Sequence, residues 1–312
     1  MLRLNLPGSI DELMARATPR TFRLAVVTSF GYWALQMAWS RTWTLSELDV
    51  RLYDPPGPLG LAPTGIQELV LSTPVLIALA LVIAVGAVSI AAGLVGGRII
   101  PLAFCALVYL HEAIIRGYSG HVNHGELPLL MLCVGLAAIG LPAARSNGTG
   151  PPPASDGAAG RLTPEGLAIF WHLTVVVIGY LFPGLARLTK NPFLTFSDEL
   201  RDMLAAHWLT VGGRFTPDQL TVPDSVDFLL DLPGWVFAVA FTMAAVLELG
   251  SVLLFRCGRW LLVLPLALLS FHLVAMFALG PFFPESMVLL TTFLAVVLVI
   301  STPVRAPAPT GA

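Results

Sequence analysis

The sequence has few charged residues, and neither charge sign predominates. Charged side chains make up 12% of its 312 residues, whereas roughly 25% is usual in soluble domains. The 17 basic and 19 acidic residues give a net charge of −2. A nucleic-acid-binding protein normally carries a clustered basic surface, so no nucleic-acid partner is expected.

Cysteine and lysine are scarce as well. The three cysteines, Cys105, Cys133 and Cys257, are far apart, and two of them lie in apolar segments, where cysteine behaves as a small hydrophobic residue. Neither a disulfide framework nor a thiolate metal site is therefore predicted. Lys190 is the single lysine. A reaction that needs a lysine amine thus has one candidate position.

Hydrophobic residues are abundant, at 56% of the chain, and the mean hydropathy is +0.81. Because about 20 apolar residues span a bilayer, the long apolar segments predict an all-α, polytopic transmembrane helical bundle of about eight spans. The predicted spans are residues 22–40, 68–95, 99–118, 126–142, 166–188, 233–255, 260–280 and 284–301.

The chain is predicted to form a single membrane domain over residues 1–305. Residues 144–162 are rich in Gly, Pro and Ser and predict a flexible loop, and residues 306–312 predict a disordered tail. The turn-forming residues of 41–64 predict a loop that is not helical. Near the N-terminus, Ser9 and Glu12 have the capping-box spacing of a short surface helix.

The arginines indicate an orientation. With eight spans and a cytoplasmic N-terminus, ten of the 17 basic residues lie on the inner side, as the positive-inside rule favours. We therefore expect a multi-pass protein, of the plasma membrane, with both termini cytoplasmic. The segment around His121 and the long connection 189–232 then share the outer face.

The connection 189–232 is longer than most, which favours a functional role. From Thr195 onward its apolar residues recur at helical spacing and predict an amphipathic helix. One interpretation is an interfacial helix lying on the bilayer with Trp208 as an anchor. The other is a helix that covers a cavity between spans and places His207 inside.

Polar residues are densest over 111–126, which holds three histidines, two glutamates and an arginine. Glu112 and Arg116 are four residues apart on a helix and are expected to pair. His121 and His124, with Glu126, could approach one ion, but they match no specific metal template. We predict no metal here and assign His124 an acid/base or hydrogen-bonding role in a cavity.

Glu248 and His272 are the titratable residues deepest in two successive predicted spans. Such residues usually face a bundle interior or a cavity. We predict that the two are partners, either as a polar clamp between helices or as a pair that lines a ligand site.

Several short motifs, in this order and spacing, carry a resemblance to a known family. They are Tyr53-Asp54-Pro55-Pro56-Gly57, Asn123-His124 with Leu127, Gly184-Leu185-Ala186-Arg187-Leu188, Ala206-His207-Trp208-Leu209, Glu248 and Phe271-His272. Over nearly the whole chain they resemble the membrane domain of vitamin K-dependent gamma-carboxylases and the related bacterial HTTM (horizontally transferred transmembrane) family.

The resemblance implies an enzyme that deprotonates a reduced, vitamin K-like quinone and uses the oxygenated product as a strong base to carboxylate peptide glutamate. The family's initiating lysine falls on Arg187, and a guanidinium stays protonated, so it cannot accept a proton. Arg187 could instead stabilise a quinolate or bind a phosphate. Either Lys190, which lies roughly 4.5 Å further along the helix, replaces the family's lysine as the base, or this chain has lost that base.

The residue patterns and the resemblance together give two sets of site residues. His124, Arg187 and Lys190 are the candidate catalytic residues. The residues expected to line the substrate cavity are His121, Asn123, His207, Glu248 and His272.

Two functions follow as alternatives. One is a membrane-embedded enzyme acting on a quinone or lipid-like substrate. The other is a non-catalytic binder or transporter of an amphipathic molecule. Membrane lipids are the expected partners, and no protein substrate is specified.

Overall fold

The computed structural model describes residues 4–39, 42–47, 53–55, 57–117, 126–141, 163–190, 231–279 and 284–302. In these ranges the chain is all-α, and the only β-type pairing is one isolated bridge between Gly97 and Leu141. The predicted loop 144–162, the tail 306–312 and the amphipathic helix of the connection 189–232 lie outside the described residues, apart from the end of a helix at Lys190.

Ten α-helices form this part of the chain. They are α1 Ile10–Ala15, α2 Pro19–Trp39, α3 Thr64–Val70, α4 Thr73–Ala91, α5 Ile99–Arg116, α6 Glu126–Ile139, α7 Pro164–Lys190, α8 Gly234–Leu249, α9 Trp260–Leu279 and α10 Pro284–Ser301. Short 3-10 helices occupy Thr42–Glu47, Gly57–Leu61 and Gly250–Arg256. The first two lie in the segment 41–64, which the sequence had predicted to be free of helix.

Five helices in the described ranges are long and apolar enough to cross a membrane: Thr73–Ala91, Ile99–Arg116, Pro164–Thr189, Gly234–Arg256 and Pro284–Ser301. Leu127–Ile139 and Trp260–Met276 are shorter apolar helices. The helix α2 has the length but not the apolar composition of the five. The chain is thus a helical membrane protein, while the number of eight spans stays a prediction.

Two local features show how the sequence sets helix ends. Ser9 caps α1, because its Oγ accepts from the backbone N–H of Glu12 at 3.2 Å, while the Glu12 carboxylate accepts from Gly8 N–H at 2.6 Å, one residue before the Ser9 N–H that a full capping box uses. The predicted span 68–95 is divided, since α3 ends at Val70 and α4 begins at Thr73, followed by Pro74. Proline disfavours helical geometry in the residue before it and is tolerated in the first turn, so it marks a helix start.

The chain divides into two compact units. One comprises residues 13–172, and the other comprises residues 1–12 and 173–312. In the first unit α2 packs against α4 and α5 against α6, around fully buried Phe30, Trp33 and Leu129. In the second unit α9 packs against α10, with buried Leu268 and Phe293. All three cysteines are buried and have no disulfide.

Candidate functional site

The second half of α7 presents one polar face. Tyr180, Gly184 and Arg187 follow at intervals of four and three residues, which places them on the same side of the helix. Gly184 is buried, and a Cβ atom there would lie 3.1 Å from both Glu248 Cβ and Leu249 Cγ. The missing side chain therefore lets α7 approach α8 closely at the position of Glu248.

Arg187 and Glu248 form an ion pair between these helices. Arg187 Nε donates to Glu248 Oε2 at 2.9 Å, and the guanidinium lies over the Phe241 ring at 4.8 Å from its centroid. The Glu248 side chain is 5% exposed and the Arg187 side chain 27%. A carboxylate this deeply buried in an apolar helix needs a charged partner, and Arg187 supplies it.

Tyr180 and His272 form a second buried pair. The Tyr180 hydroxyl and His272 Nε2 are 2.7 Å apart, and Ser286 at the start of α10 is a further hydrogen-bond partner of the Tyr180 hydroxyl. Tyr180 is 5% exposed and His272 7%. A phenol bonded to an imidazole nitrogen can pass a proton along that bond, which is the geometry that acid/base catalysis requires.

The two pairs belong to one cluster. Tyr180 and Arg187, one member of each pair, lie two turns apart on the same face of α7. The part of α7 that belongs to the second unit, together with α8 and α9, therefore brings a cation, a carboxylate, an imidazole and a phenol to one region of that unit. We call these four residues the Arg187 cluster.

The bonds described for Glu248 and His272 run to residues of α7, so the prediction that the two are each other's partner stays a prediction. Glu248 bonds Arg187, and His272 Nε2 bonds Tyr180. The sequence showed that both residues are deep in successive spans, but depth does not determine which way a side chain points around its helix. The bonded partner of Glu248 comes from α7, where Gly184 permits a close approach of α8.

Of the predicted site residues, the structure brings Arg187, Glu248 and His272 together. The positions of His121, Asn123, His124 and His207 lie outside the described residues. Lys190 is the last residue of α7, and its side chain is not among those described. Its role as a substitute base stays a prediction.

Sequence reasoning missed Tyr180 and Ser286. Tyr180 could have been found, because it precedes Arg187 by seven residues, two helical turns on the same face. Ser286 gives no such signal, since a serine in the first turn of a helix is common.

No set of three or more His, Cys, Asp or Glu side chains that could hold a metal ion occurs in the described ranges, which do not include His121 and His124. The chain matches no protein-family model, no curated protein and no solved structure.

Proposed function

We propose that the chain is a membrane-embedded enzyme that acts on a quinone or lipid-like substrate and binds the anionic head of that substrate at Arg187. One observation carries the proposal: a guanidinium on an apolar helix is 27% exposed and gives only its Nε–H to Glu248. Arginine has five N–H donors, and within the described ranges the other four contact no acceptor, so they can serve a second one. A phenolate, carboxylate or phosphate oxygen fits such a fork.

The Tyr180–His272 pair supplies the proton acceptor in this proposal. A substrate hydroxyl would transfer its proton to the Tyr180 oxygen while the Tyr180 proton moves to His272 Nε2. The substrate anion would then be held by Arg187. The pair thus offers a proton acceptor where the resemblance to gamma-carboxylases had left an arginine, which cannot act as one. Because burial and the Arg187 charge both disfavour an imidazolium, the proton transfer requires the substrate anion to form beside Arg187 in the same step. A reduced, vitamin K-like quinone is the cofactor or substrate that the resemblance favours.

The alternative is a binder or transporter of an amphipathic molecule. Arg187 also supports this alternative, because its guanidinium, paired with Glu248, can bind the polar head of such a molecule without catalysing a reaction. Both functions predict binding at Arg187. Only the enzyme predicts that Tyr180 and His272 matter for turnover and not for binding.

The test is a binding titration of purified protein in detergent with menadiol, a naphthohydroquinone, under anaerobic conditions. We expect Arg187→Gln to weaken binding by about tenfold or more, because a hydrogen bond to a charged group contributes about 1.5–3 kcal/mol. The matched control is Arg259→Gln, which removes an exposed arginine 5.0 Å from the Trp260 ring.

Equal menadiol affinities for Arg187→Gln and Arg259→Gln would contradict binding at Arg187. The enzyme is separated from the binder by the absorbance of bound menadiol, which changes on ionisation. If menadiol binds to wild type and to His272→Asn in the same ionisation state, the binder is the better interpretation. If solvent extracts of the wild type contain bulk phospholipid alone, and menadiol does not bind, both functions fail.

A further inference from the structure

A second polar cluster lies in the unit formed by residues 13–172. His111 and Glu112 are on α5, Gln36 is on α2, and Thr42 is the first residue of the 3-10 helix Thr42–Glu47. None of the functions proposed above uses it. The sequence had placed Arg116 beside Glu112, but the contacts described for the Glu112 carboxylate are those with His111 and Gln36.

These residues form a chain of contacts through both nitrogens of one imidazole. His111 Nδ1 is 3.1 Å from Glu112 Oε1, and His111 Nε2 is 3.4 Å from Thr42 Oγ1. Gln36 Nε2 donates to the same Glu112 oxygen at 3.4 Å. A hydroxyl, an imidazole and a carboxylate joined in this order are the arrangement by which a hydroxyl becomes a nucleophile.

The carboxylate determines the tautomer. Because ionised Glu112 can only accept, His111 donates from Nδ1, and Nε2 is then left to accept the Thr42 proton. The 3.4 Å contact is long for a hydrogen bond, but nucleophile and base are often looser without a substrate. Thr42, His111 and Glu112 are 5%, 1% and 8% exposed, so bulk water does not weaken these contacts.

We infer that Thr42, His111 and Glu112 form a nucleophilic site for acyl transfer from carboxylic esters of the glycerolipid class. The Thr42 oxygen is the nucleophile, His111 is the general base, and Glu112 is a positioning residue held by Gln36. The substrate class follows from location. His111 lies five residues, about 7.5 Å along the axis, from the end of a helix long and apolar enough to span a membrane, so membrane lipids supply the carboxylic esters nearest to it.

The reaction uses only the ester and water. The Thr42 oxygen bonds to the acyl carbon while its proton passes to His111 Nε2. The ester C–O bond then breaks, and the leaving alcohol takes that proton. Water next attacks the acyl-threonine by the same proton route, which releases a carboxylic acid and restores the threonine.

The experiment is covalent labelling of the full chain in detergent with an alkyl fluorophosphonate, followed by peptide mapping. This probe forms an O–P bond to a base-activated hydroxyl, with loss of fluoride. We expect one adduct, on Thr42. Labelling should be retained in Thr42→Ser, absent in Thr42→Val, and at least tenfold slower in His111→Gln. The matched control is Thr28→Val, whose hydroxyl donates to backbone carbonyls of its own helix, those of Leu24 at 2.8 Å and Ala25 at 3.3 Å.

The positioning role of Glu112 has its own readout. Glu112→Gln should slow labelling at least tenfold, and Glu112→Asp, which keeps the carboxylate, should recover part of the rate at an equal melting temperature. If Glu112 had a purely structural role, its replacement would lower the labelling rate and the melting temperature together. The proposal is overturned if the wild type shows no adduct, if the adduct maps elsewhere, or if His111→Gln labels as fast as wild type. The mapping on wild type decides the matter even if a variant fails to fold.

Discussion

The Arg187 cluster and the Thr42–His111–Glu112 cluster solve the same problem, buried polarity in an apolar bundle, in different ways. In the first, a carboxylate is neutralised by a guanidinium 61 residues away on another helix. In the second, a carboxylate contacts the imidazole of the adjacent residue, and its other described contact is an amide. The first arrangement leaves a partly exposed cation for a ligand, and the second leaves a hydroxyl beside a base.

The comparison shows that a buried ion pair and a reactive hydroxyl need not belong to the same polar cluster. The buried Glu248 carboxylate is compensated by the formal charge of Arg187, so removing Arg187 should strongly lower the stability of the protein. Glu112 contacts an amide, Gln36, and an imidazole, His111, neither of which carries a permanent charge. Replacing either partner should therefore affect the stability of the protein less than the reactivity of Thr42. The following changes test this contrast, from the largest expected effect to the smallest.

Arg187→Ala should cause the largest loss of stability. Removing one member of a buried ion pair leaves an uncompensated charge and costs about 3–5 kcal/mol, and the 27% exposure of Arg187 favours the lower end, about 3 kcal/mol. The measurement is thermal unfolding in detergent. The double variant Arg187→Ala with Glu248→Leu should recover much of this loss, because no buried charge remains. A double variant less stable than Arg187→Ala would contradict a charge-based role.

Gly184→Ala should destabilise by about 1–3 kcal/mol, the usual cost of overpacking. The added Cβ would lie 3.1 Å from Glu248 Cβ and from the Leu249 backbone nitrogen, which cannot move freely. The control is Gly250→Ala, whose Cβ would meet Leu264 Cδ2 at an ordinary 3.6 Å. Comparable melting temperatures for the two variants would show that α7 and α8 do not need their close approach.

Tyr180→Phe should cost about 1 kcal/mol, because it removes one hydroxyl and its bonds while keeping the ring. In the enzyme proposal the same change stops proton transfer but leaves menadiol affinity within a factor of about two, since Arg187 is untouched. Affinity and the ionisation of bound menadiol are measured in one titration. A large loss of affinity would place Tyr180 in binding instead of proton transfer.

Gln36→Leu should have the smallest effect, about 0.5–1 kcal/mol, since its 3.4 Å bond to Glu112 is long and one partner contact of the carboxylate remains. Unfolding of this variant is compared with that of Arg187→Ala. If Gln36→Leu were as destabilising as Arg187→Ala, the contrast between the two clusters would be lost.

The sequence predicted the helical class well, because runs of apolar residues and helix-capping residues are local signals. Five apolar helices lie where spans were expected, and Ser9 with Glu12 caps α1. The division of the segment 68–95 was missed although Thr73-Pro74 marks it. In that segment the apolar pattern continues through a helix break, so hydropathy alone could not locate it.

The sequence by itself determined that this is a helical membrane protein and that Arg187, Glu248, His272, His111 and Glu112 are its unusual polar residues. Only the tertiary structure decided their partners. Glu248 binds Arg187 where Gly184 admits α8 to the face of α7, and His272 of α9 binds Tyr180 on the same face. Thr42 reaches His111 across 69 residues of sequence. Residue spacing fixes which side chains share a helical face, but the packing of one helix against another decides which faces meet.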